Sequence, residues 1–260
     1  MESQKRINVI IFTALACITG VFLLPAVAQD NAYHDFADKT LRFGIPNFGD
    51  VAGNALFVFM GLLGLCTAAG NRKNYQKPAY ACWLIFFTGV FLTGFGSGYY
   101  HLSPDNETLV WDRLPMTLAF MSLTSLVVMT HISEKTGAVL LPVLLLAGVS
   151  SVWYWHHTET QGHGDLRFYA LVQFLPMVLM LEILALFPRR DGGAKYLLCT
   201  LGFYIAAKLL EHFDAQVFAL CRDIVSGHTL KHIVAASGIW WMIKYARLGA
   251  LSPPPPGQPC

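Results

Sequence analysis

The chain has 260 residues, of which 55% are hydrophobic and only 13% are charged, with a formal net charge of +2. Soluble globular proteins carry about 25% charged residues, so the composition excludes an ordinary soluble domain and indicates a polytopic membrane protein. The near-neutral charge gives no basic field for nucleic acid. The six scattered cysteines form no CxxC pair, which argues against a disulfide framework or a thiolate metal site.

The first 28 residues allow two interpretations. The segment MESQKR is a basic start, INVIIFTALACITGVFLLP is apolar, and AVAQD offers a small-residue site for cleavage after Ala28. The apolar run is long for a signal peptide, so residues 1–28 are predicted to be either a signal peptide or an uncleaved signal-anchor helix. Both interpretations place Asp30 on the outer side of the membrane.

Seven further apolar runs are long enough for a membrane-spanning helix, which needs about 20 residues. They are Asp50–Ala69, Pro78–His101, Asp112–His131, Gly137–Trp155, Leu166–Phe187, Ala194–Cys221 and Ile224–Tyr245. The fold class is therefore predicted to be all-α, with a seven-transmembrane-helix bundle over residues 29–248. The proline-rich end, residues 249–260, is predicted to be a disordered cytoplasmic tail.

Basic residues cluster in alternate loops of this predicted bundle. With Asp30 outside, the inner segments hold eleven of the 18 lysines and arginines. The outer loops around 102–111 and 156–165, the second predicted to be solvated, hold none. The positive-inside rule therefore places the C-terminus in the cytoplasm. No internal repeat is visible, which disfavours an inverted-repeat transporter.

Five polar side chains are predicted to share one layer near the outer boundary of the bilayer. They are Ser97, His101, Asp112, His228 and His232. Ser97 and His101 are four residues apart and share one helix face, and the same holds for His228 and His232. Ionisable groups are costly inside a membrane, so several at one depth indicate a functional site.

Three imidazoles with one open position are the ligand set of a catalytic zinc ion. The HxxxH pair at 228–232 would aim two rings at one point, and His101 would supply the third ring from another helix. Asp112 could act on the water or hold a ligand ring, and Ser97 could donate to a water or an oxyanion. A layer of packed polar residues, without a metal, is the alternative.

A second polar group lies on the sixth run. Its members are predicted to form a supporting layer with ion pairs: Lys208, Glu211, His212 and Asp214. Asp214 is the best candidate for a hydrogen bond that supports a residue of the metal site. Lining of a cavity is the alternative interpretation of these residues.

Three motifs together resemble a known family. The segments SGYYH, LVWDRLPM and HTLKH are similar to the S-x3-H, D and H-x3-H pattern of the alkaline ceramidases. That family belongs to a hydrolase superfamily that includes the adiponectin-receptor-like proteins. NFGDVAGNALF resembles the entry to the family's first helix, and EHFDAQVF resembles its sixth-helix aspartate segment. The resemblance is ordered and covers roughly residues 33 to 247.

The resemblance implies a seven-helix fold with zinc near one face and hydrolysis of a sphingolipid amide. Residue by residue, His101, His228 and His232 match the zinc ligands. Asp112 matches the aspartate that acts as acid and base or orients the water, and Ser97 matches the serine beside the zinc-bound water.

The chain departs from the eukaryotic alkaline ceramidases before the first helix, where those proteins carry an acidic calcium segment with a tryptophan. Here the region has Asp35, Asp38 and Asp50 but no tryptophan, and Asn47 stands where an acidic residue is expected. Calcium is therefore left open. The pattern resembles a bacterial member, so the substrate is expected to be ceramide or a related N-acyl lipid.

The sequence therefore predicts a zinc-dependent amidohydrolase in the bacterial inner membrane, with its site toward the outer face. The lipid bilayer is predicted to surround the protein, and a lipid is predicted to be its substrate. Two rival hypotheses are a haem-binding electron-transfer protein with histidine axial ligands and a non-catalytic lipid sensor with a vestigial site.

Overall fold

The computed structural model describes residues 2–189 and 192–251, of which those from 249 onward are described by backbone alone. This part of the chain is helical and holds no β-strand beyond one isolated bridge. The helices are α1 (Glu2–Leu23), α2 (Phe48–Gly53), α3 (Ala55–Gly70), α4 (Lys77–Leu102), α5 (Asn106–His131), α6 (Glu134–Thr160), α7 (Arg167–Leu186), α8 (Ala194–His212), α9 (Asp214–Leu220) and α10 (Gly227–Leu251).

Six stretches within the described residues are long and apolar enough to cross a membrane. They are α1, the combined segment Phe48–Gly70, and the helices α4, α5, α6 and α7. The helices α8 and α10 are similarly long but carry more charged residues, which include Lys208, Glu211 and Lys231. The prediction of an all-α polytopic membrane protein is confirmed, while the count of seven crossings stays a prediction.

The helices pack in a closely connected bundle around α5 and α10. Helix α4 lies between α3 and α5, α5 also contacts α6 and α7, and α10 packs against α3 and α8. Large apolar side chains remain on the outside, such as Phe12, Leu146 and Trp153. An exterior of this kind is stable in hydrocarbon, whereas in water it would be a large apolar patch.

Helix α1 packs on α7 and has no buried residues of its own. The Thr13 hydroxyl donates a 2.9 Å hydrogen bond to the Glu182 carboxylate in α7, and the Arg6 guanidinium donates to the Leu186 carbonyl oxygen. Because a polar side chain in hydrocarbon needs a partner, the Thr13 contact fixes the position at which α1 packs against α7. Whether residues 1–28 act as signal peptide or anchor stays a prediction.

Several element boundaries differ from the predicted ones, and the predicted first run is divided at Asn54 into α2 and α3. Helix α5 begins at Asn106, because the Asp105 and Thr108 side chains form a capping box that extends the helix beyond its apolar run. Helix α6 continues to Thr160, so much of the predicted outer loop is helical. The predicted sixth run is divided at Phe213 into α8 and α9.

The predicted tail at 249–260 begins inside α10, which continues to Leu251. The rest of that tail lies outside the described residues.

Candidate metal and hydrolytic site

Three histidine rings meet in the interior of the bundle. The Nε2 atom of His101 lies 3.2 Å from Nε2 of His228 and 3.1 Å from Nε2 of His232. All three rings are at most 4% exposed. Helix α4 supplies the first ring near its C-terminal end, and the first two turns of α10 supply the other two, as the sequence predicts.

The spacing of these nitrogens suits a tetrahedral metal ion. Ligand nitrogens at 2.0–2.1 Å from zinc would be separated by about 3.3 Å, close to the two measured distances. Three neutral imidazoles cannot satisfy one another through their Nε2 atoms, because an Nε2 that carries a hydrogen only donates and one without a hydrogen only accepts. A shared cation would satisfy all three lone pairs. Among the described residues, this triad is the one cluster of potential ligand side chains found.

Asp112 and Ser97 line the cavity that His232 also reaches. The Ser97 side chain is buried, and its hydroxyl has no hydrogen-bond partner among the described residues. Both residues therefore lie on the side of the cavity that a substrate would contact. All five predicted site residues are brought together at one end of the bundle.

A close approach between α4 and α5 positions Asp112. A Cβ atom at Gly96 would lie 2.0 Å from the Trp111 carbonyl oxygen, which is backbone and cannot turn aside. Glycine at this position therefore allows the two helices to touch next to Asp112. At the N-cap of α5, the Thr108 backbone N–H holds the pKa of Asp105 below its ordinary value.

Arg113 follows Asp112 in sequence but faces another set of partners. Its guanidinium donates to Gln29 Oε1 at 2.6 Å and lies 4.0 Å from the Trp155 ring and 4.5 Å from the Tyr169 ring. Cation–π contacts of this kind stabilise a charge that has left water. Arg113 therefore ties the residues after α1 to α5, α6 and α7, instead of holding Asp112 in an ion pair.

The segment before α2 covers the histidines. The Phe36 ring is buried, with its centroid 4.7 Å from the His101 ring and 4.2 Å from the His228 ring. The Asn47 side chain donates to the His101 carbonyl oxygen at 2.9 Å. These contacts cover the triad on this side and hold the C-terminal end of α4. Neither residue was predicted from the sequence to be part of the site.

Two aspartates support the start of α10. Asp214 accepts hydrogen bonds from the backbone N–H groups of Ala37 and His228, at 2.9 and 2.7 Å. Asp50 is fully buried and accepts from Ser226 Oγ at 3.0 Å and Thr229 Oγ1 at 2.7 Å. Asp214 thus has the supporting contact predicted for it, and Asp50 is a further support that the sequence did not reveal.

The residues considered for calcium have other contacts. Asp38 accepts from Thr40 and from the Gly49 backbone N–H, and Asp35 pairs with Lys39 at 2.5 Å. Asp50 faces α10 as described. The three carboxylates therefore serve separate local interactions, and calcium binding stays untested.

The cavity beside the triad has a volume of about 390 Å³ and extends between α4, α5, α7, α8 and α10. Its long walls are apolar, with Phe86, Met116, Met180, Leu197 and Met242 among the lining residues. Polar and charged side chains collect at the end that carries Ser97 and Asp112. Its shape and polarity suit an amphipathic ligand with a long hydrocarbon chain.

Comparison with known proteins agrees with this geometry. The chain has no significant match among curated protein sequences. A family model described as Ceramidase matches residues 45–248, which include α2 to α9, most of α10 and all five residues of the predicted site. The match extends over well more than half of the sequence, and on this ground the chain belongs to the ceramidase family.

Proposed function

We propose that this protein is a zinc-dependent amidase of the membrane that cleaves ceramide or a related N-acyl lipid into a fatty acid and a long-chain base. Membership of the ceramidase family supports amide hydrolysis. The observation that carries the metal is the convergence of three imidazole Nε2 atoms beside a cavity lined by Ser97 and Asp112.

His101, His228 and His232 would hold the metal through their Nε2 atoms. When bound, a zinc ion supplies a Lewis acid that activates a water molecule and polarises the amide carbonyl. Asp112 takes a proton from the attacking water and gives it to the leaving nitrogen. The new C–O bond forms and the C–N bond breaks, so that fatty acid and amine separate. Ser97 Oγ donates to the developing oxyanion.

The remainder of the cavity suits the acyl chain. Helices α7 and α8 both line the cavity and are joined by a 3.0 Å hydrogen bond from Gln173 to Tyr204. A lipid chain between them would bury apolar surface on both sides, which is worth about 25 cal/mol per Å². The amide would then lie at the polar end, within reach of the histidine triad.

The haem hypothesis is not favoured by this geometry. The centroids of the three histidine rings lie 4.7 to 5.0 Å apart. Two axial ligands of a haem iron stand on opposite faces of a wide flat macrocycle, and rings that meet at one point leave no space for it. A non-catalytic sensor remains the rival hypothesis. Measured turnover of a lipid amide would contradict it, and absence of turnover would support it.

The experiment that tests the function combines metal analysis with turnover. Purified full-length protein is expected to contain one zinc ion per chain and to hydrolyse at least one lipid in a panel of ceramides and other N-acyl lipids. Chelation should abolish this activity and added zinc should restore it. Turnover that survives complete removal of metal would contradict zinc dependence, and zinc without any turnover would favour the sensor.

The orientation is a separate part of the proposal, with the site toward the outer face of a bacterial inner membrane and the C-terminus in the cytoplasm. Gln161 directly follows α6 on the predicted outer side, and Lys73 lies between α3 and α4 on the predicted inner side; both are exposed. In intact cells, Gln161→Cys is expected to react with a membrane-impermeant maleimide, whereas Lys73→Cys should react only after lysis. The reverse pattern would contradict the proposed orientation.

A further inference from the structure

Two lysines and a glutamate form a charged cluster inside the bundle, which we name the lysine cluster. Glu211 Oε2 accepts from Lys208 Nζ at 2.5 Å, and Glu211 Oε1 accepts from Lys231 Nζ at 2.6 Å. Lys208 and Glu211 are one turn apart on α8, and Lys231 reaches them from α10. The side chains of Glu211 and Lys231 are each 17% exposed.

The lysine cluster belongs to the same cavity as the proposed hydrolytic residues. Lys208, Glu211 and Lys231 line it together with Asp112 and His232. Lys231 directly precedes His232 and follows His228 by three residues, so it lies one helical turn from a proposed metal ligand. A group held by Lys231 would therefore be a close neighbour of the reacting amide.

The charges that line the cavity do not balance. The described lining contains three permanently basic side chains, Arg113, Lys208 and Lys231, and two acidic ones, Asp112 and Glu211. Arg113 is held by an amide and aromatic rings, and both lysines share the single Glu211 carboxylate. A bound metal would add further positive charge. In a cavity with apolar walls, such an excess favours an anionic ligand.

The donors of the lysine cluster are also incompletely used. An ammonium group has three N–H donors, and within the described residues Lys208 and Lys231 each make one hydrogen bond, to Glu211. The hydroxyl groups of a neutral lipid would leave the excess charge uncompensated. A carboxylate or phosphate would accept from both lysines and supply the missing counter-charge.

We infer that Lys208 and Lys231 form an anion subsite, and that the preferred substrate is an N-acyl lipid whose amine portion carries a carboxylate or phosphate close to the scissile amide. This inference rests on the proposed amidase function of the same cavity. The apolar walls take the acyl chain, which leaves the amine portion for the charged end. The lysine cluster is thus a determinant of substrate class.

A purely structural role is the competing explanation, because the Glu211–Lys231 ion pair also joins α8 to α10. A structural ion pair would be weakened by Glu211→Gln as well as by Lys231→Met, and neither change would alter the choice between substrates. An anion subsite would be affected by loss of the lysine, and not by loss of the carboxylate that competes with the ligand.

Three matched amphiphiles test the subsite. N-palmitoylethanolamine, N-palmitoylglycine and the phosphate ester of N-palmitoylethanolamine share one acyl chain and differ in a terminal hydroxyl, carboxylate or phosphate. The zinc-loaded full-length protein, in a neutral detergent, is expected to show about tenfold higher kcat/KM for at least one anionic amide than for the neutral one. The two anionic compounds distinguish carboxylate from phosphate as the source of the charge.

The variants then assign this preference to the cluster. Lys231→Met should reduce the anionic-to-neutral ratio of kcat/KM by about tenfold, and Lys231→Arg should retain most of it. Lys244→Met is the matched control, because Lys244 is on the same helix but lies over the Trp240 and Trp241 rings. A wild-type protein that prefers the neutral amide, or a ratio unchanged in Lys231→Met, would overturn the anion subsite.

Failure of the subsite can be told apart from failure of the amidase. Turnover of the neutral amide alone would overturn the subsite and leave the hydrolase intact. Turnover of ceramide but of none of the three compounds would also overturn the subsite, whereas absence of turnover on ceramide and on all three compounds would contradict the hydrolase. In that case the subsite is tested by binding alone, with the affinities of the Asp112→Asn protein for the same three amphiphiles. Tighter binding of the anionic compounds supports the subsite, and equal binding overturns it.

Discussion

Replacing Asp112 with asparagine is expected to lower kcat by about 100-fold or more while zinc remains bound. Asparagine keeps the shape of the side chain but cannot accept a proton from water, and a positioned general base contributes about 10²- to 10⁴-fold. Asp112 lines the cavity with Ser97 and His232, whereas three histidines already supply the protein's share of a four-coordinate zinc site. The change should therefore separate turnover from metal binding.

The structural alternative for Asp112 is an ion pair with Arg113 that stabilises the start of α5. The geometry argues against this alternative, because the Arg113 guanidinium donates to Gln29 and lies between the Trp155 and Tyr169 rings. Arg113→Lys is the matched control. It should lower the melting temperature through loss of these contacts and retain more activity per folded molecule than Asp112→Asn.

Zinc content, melting temperature and kcat measured on one preparation distinguish the roles of Asp112. Retained zinc with lost turnover supports the proton-transfer role. A zinc-free Asp112→Asn protein would make the aspartate a ligand or an essential prop of the ligands. A stable variant with near-normal kcat would contradict any catalytic role.

The layer of site residues was predictable because the position of a residue along a membrane-spanning helix determines its depth in the bilayer. Once the direction of each span is set by the loop charges, residues on different helices can be compared by height. His101, His228, His232, Ser97 and Asp112 met this condition and are brought together in the structure. The spacing of four residues between Ser97 and His101 on α4, and between His228 and His232 on α10, also predicted that each pair shares one helix face.

The cover of the site was not predictable in the same way. Phe36 and Asn47 lie in an irregular segment that has no helical period, so sequence spacing says nothing about where they dock. Asn47 adopts a left-handed backbone conformation with a φ of 48°, which asparagine tolerates better than most residues. Only the three-dimensional path of this segment reveals that it closes over His101 and His228.

The helix ends were misjudged for a related reason. Apolar runs mark the part of a helix inside hydrocarbon, while capping and tertiary contacts decide where the helix stops. Asp105 caps α5 beyond its apolar run. The predicted sixth helix is interrupted just before Asp214, whose carboxylate is engaged by the backbone of Ala37 and His228. These partners are distant in sequence and leave no local signal.

Replacing His228 or His232 with alanine is expected to remove bound zinc and activity together. Loss of a group that only supports a ligand costs about 10- to 100-fold in metal affinity, so loss of a ligand itself should cost more. In the wild-type protein, free zinc at 100 times its dissociation constant would add about 2.7 kcal/mol to the free energy of unfolding. The variants should lose this increment.

The zinc-dependent shift in melting temperature is therefore the decisive measurement, because it does not depend on turnover. His212→Ala is the matched control, since His212 is exposed at the end of α8, outside the triad, and its loss should leave zinc content and the shift unchanged. If only packing held the three rings together, alanine would lower stability equally with and without zinc. Full zinc occupancy in His228→Ala or His232→Ala would remove that residue from the ligand set. Because His101 Nε2 lies within 3.2 Å of both partner nitrogens, His101→Ala should lose zinc as completely as either of them.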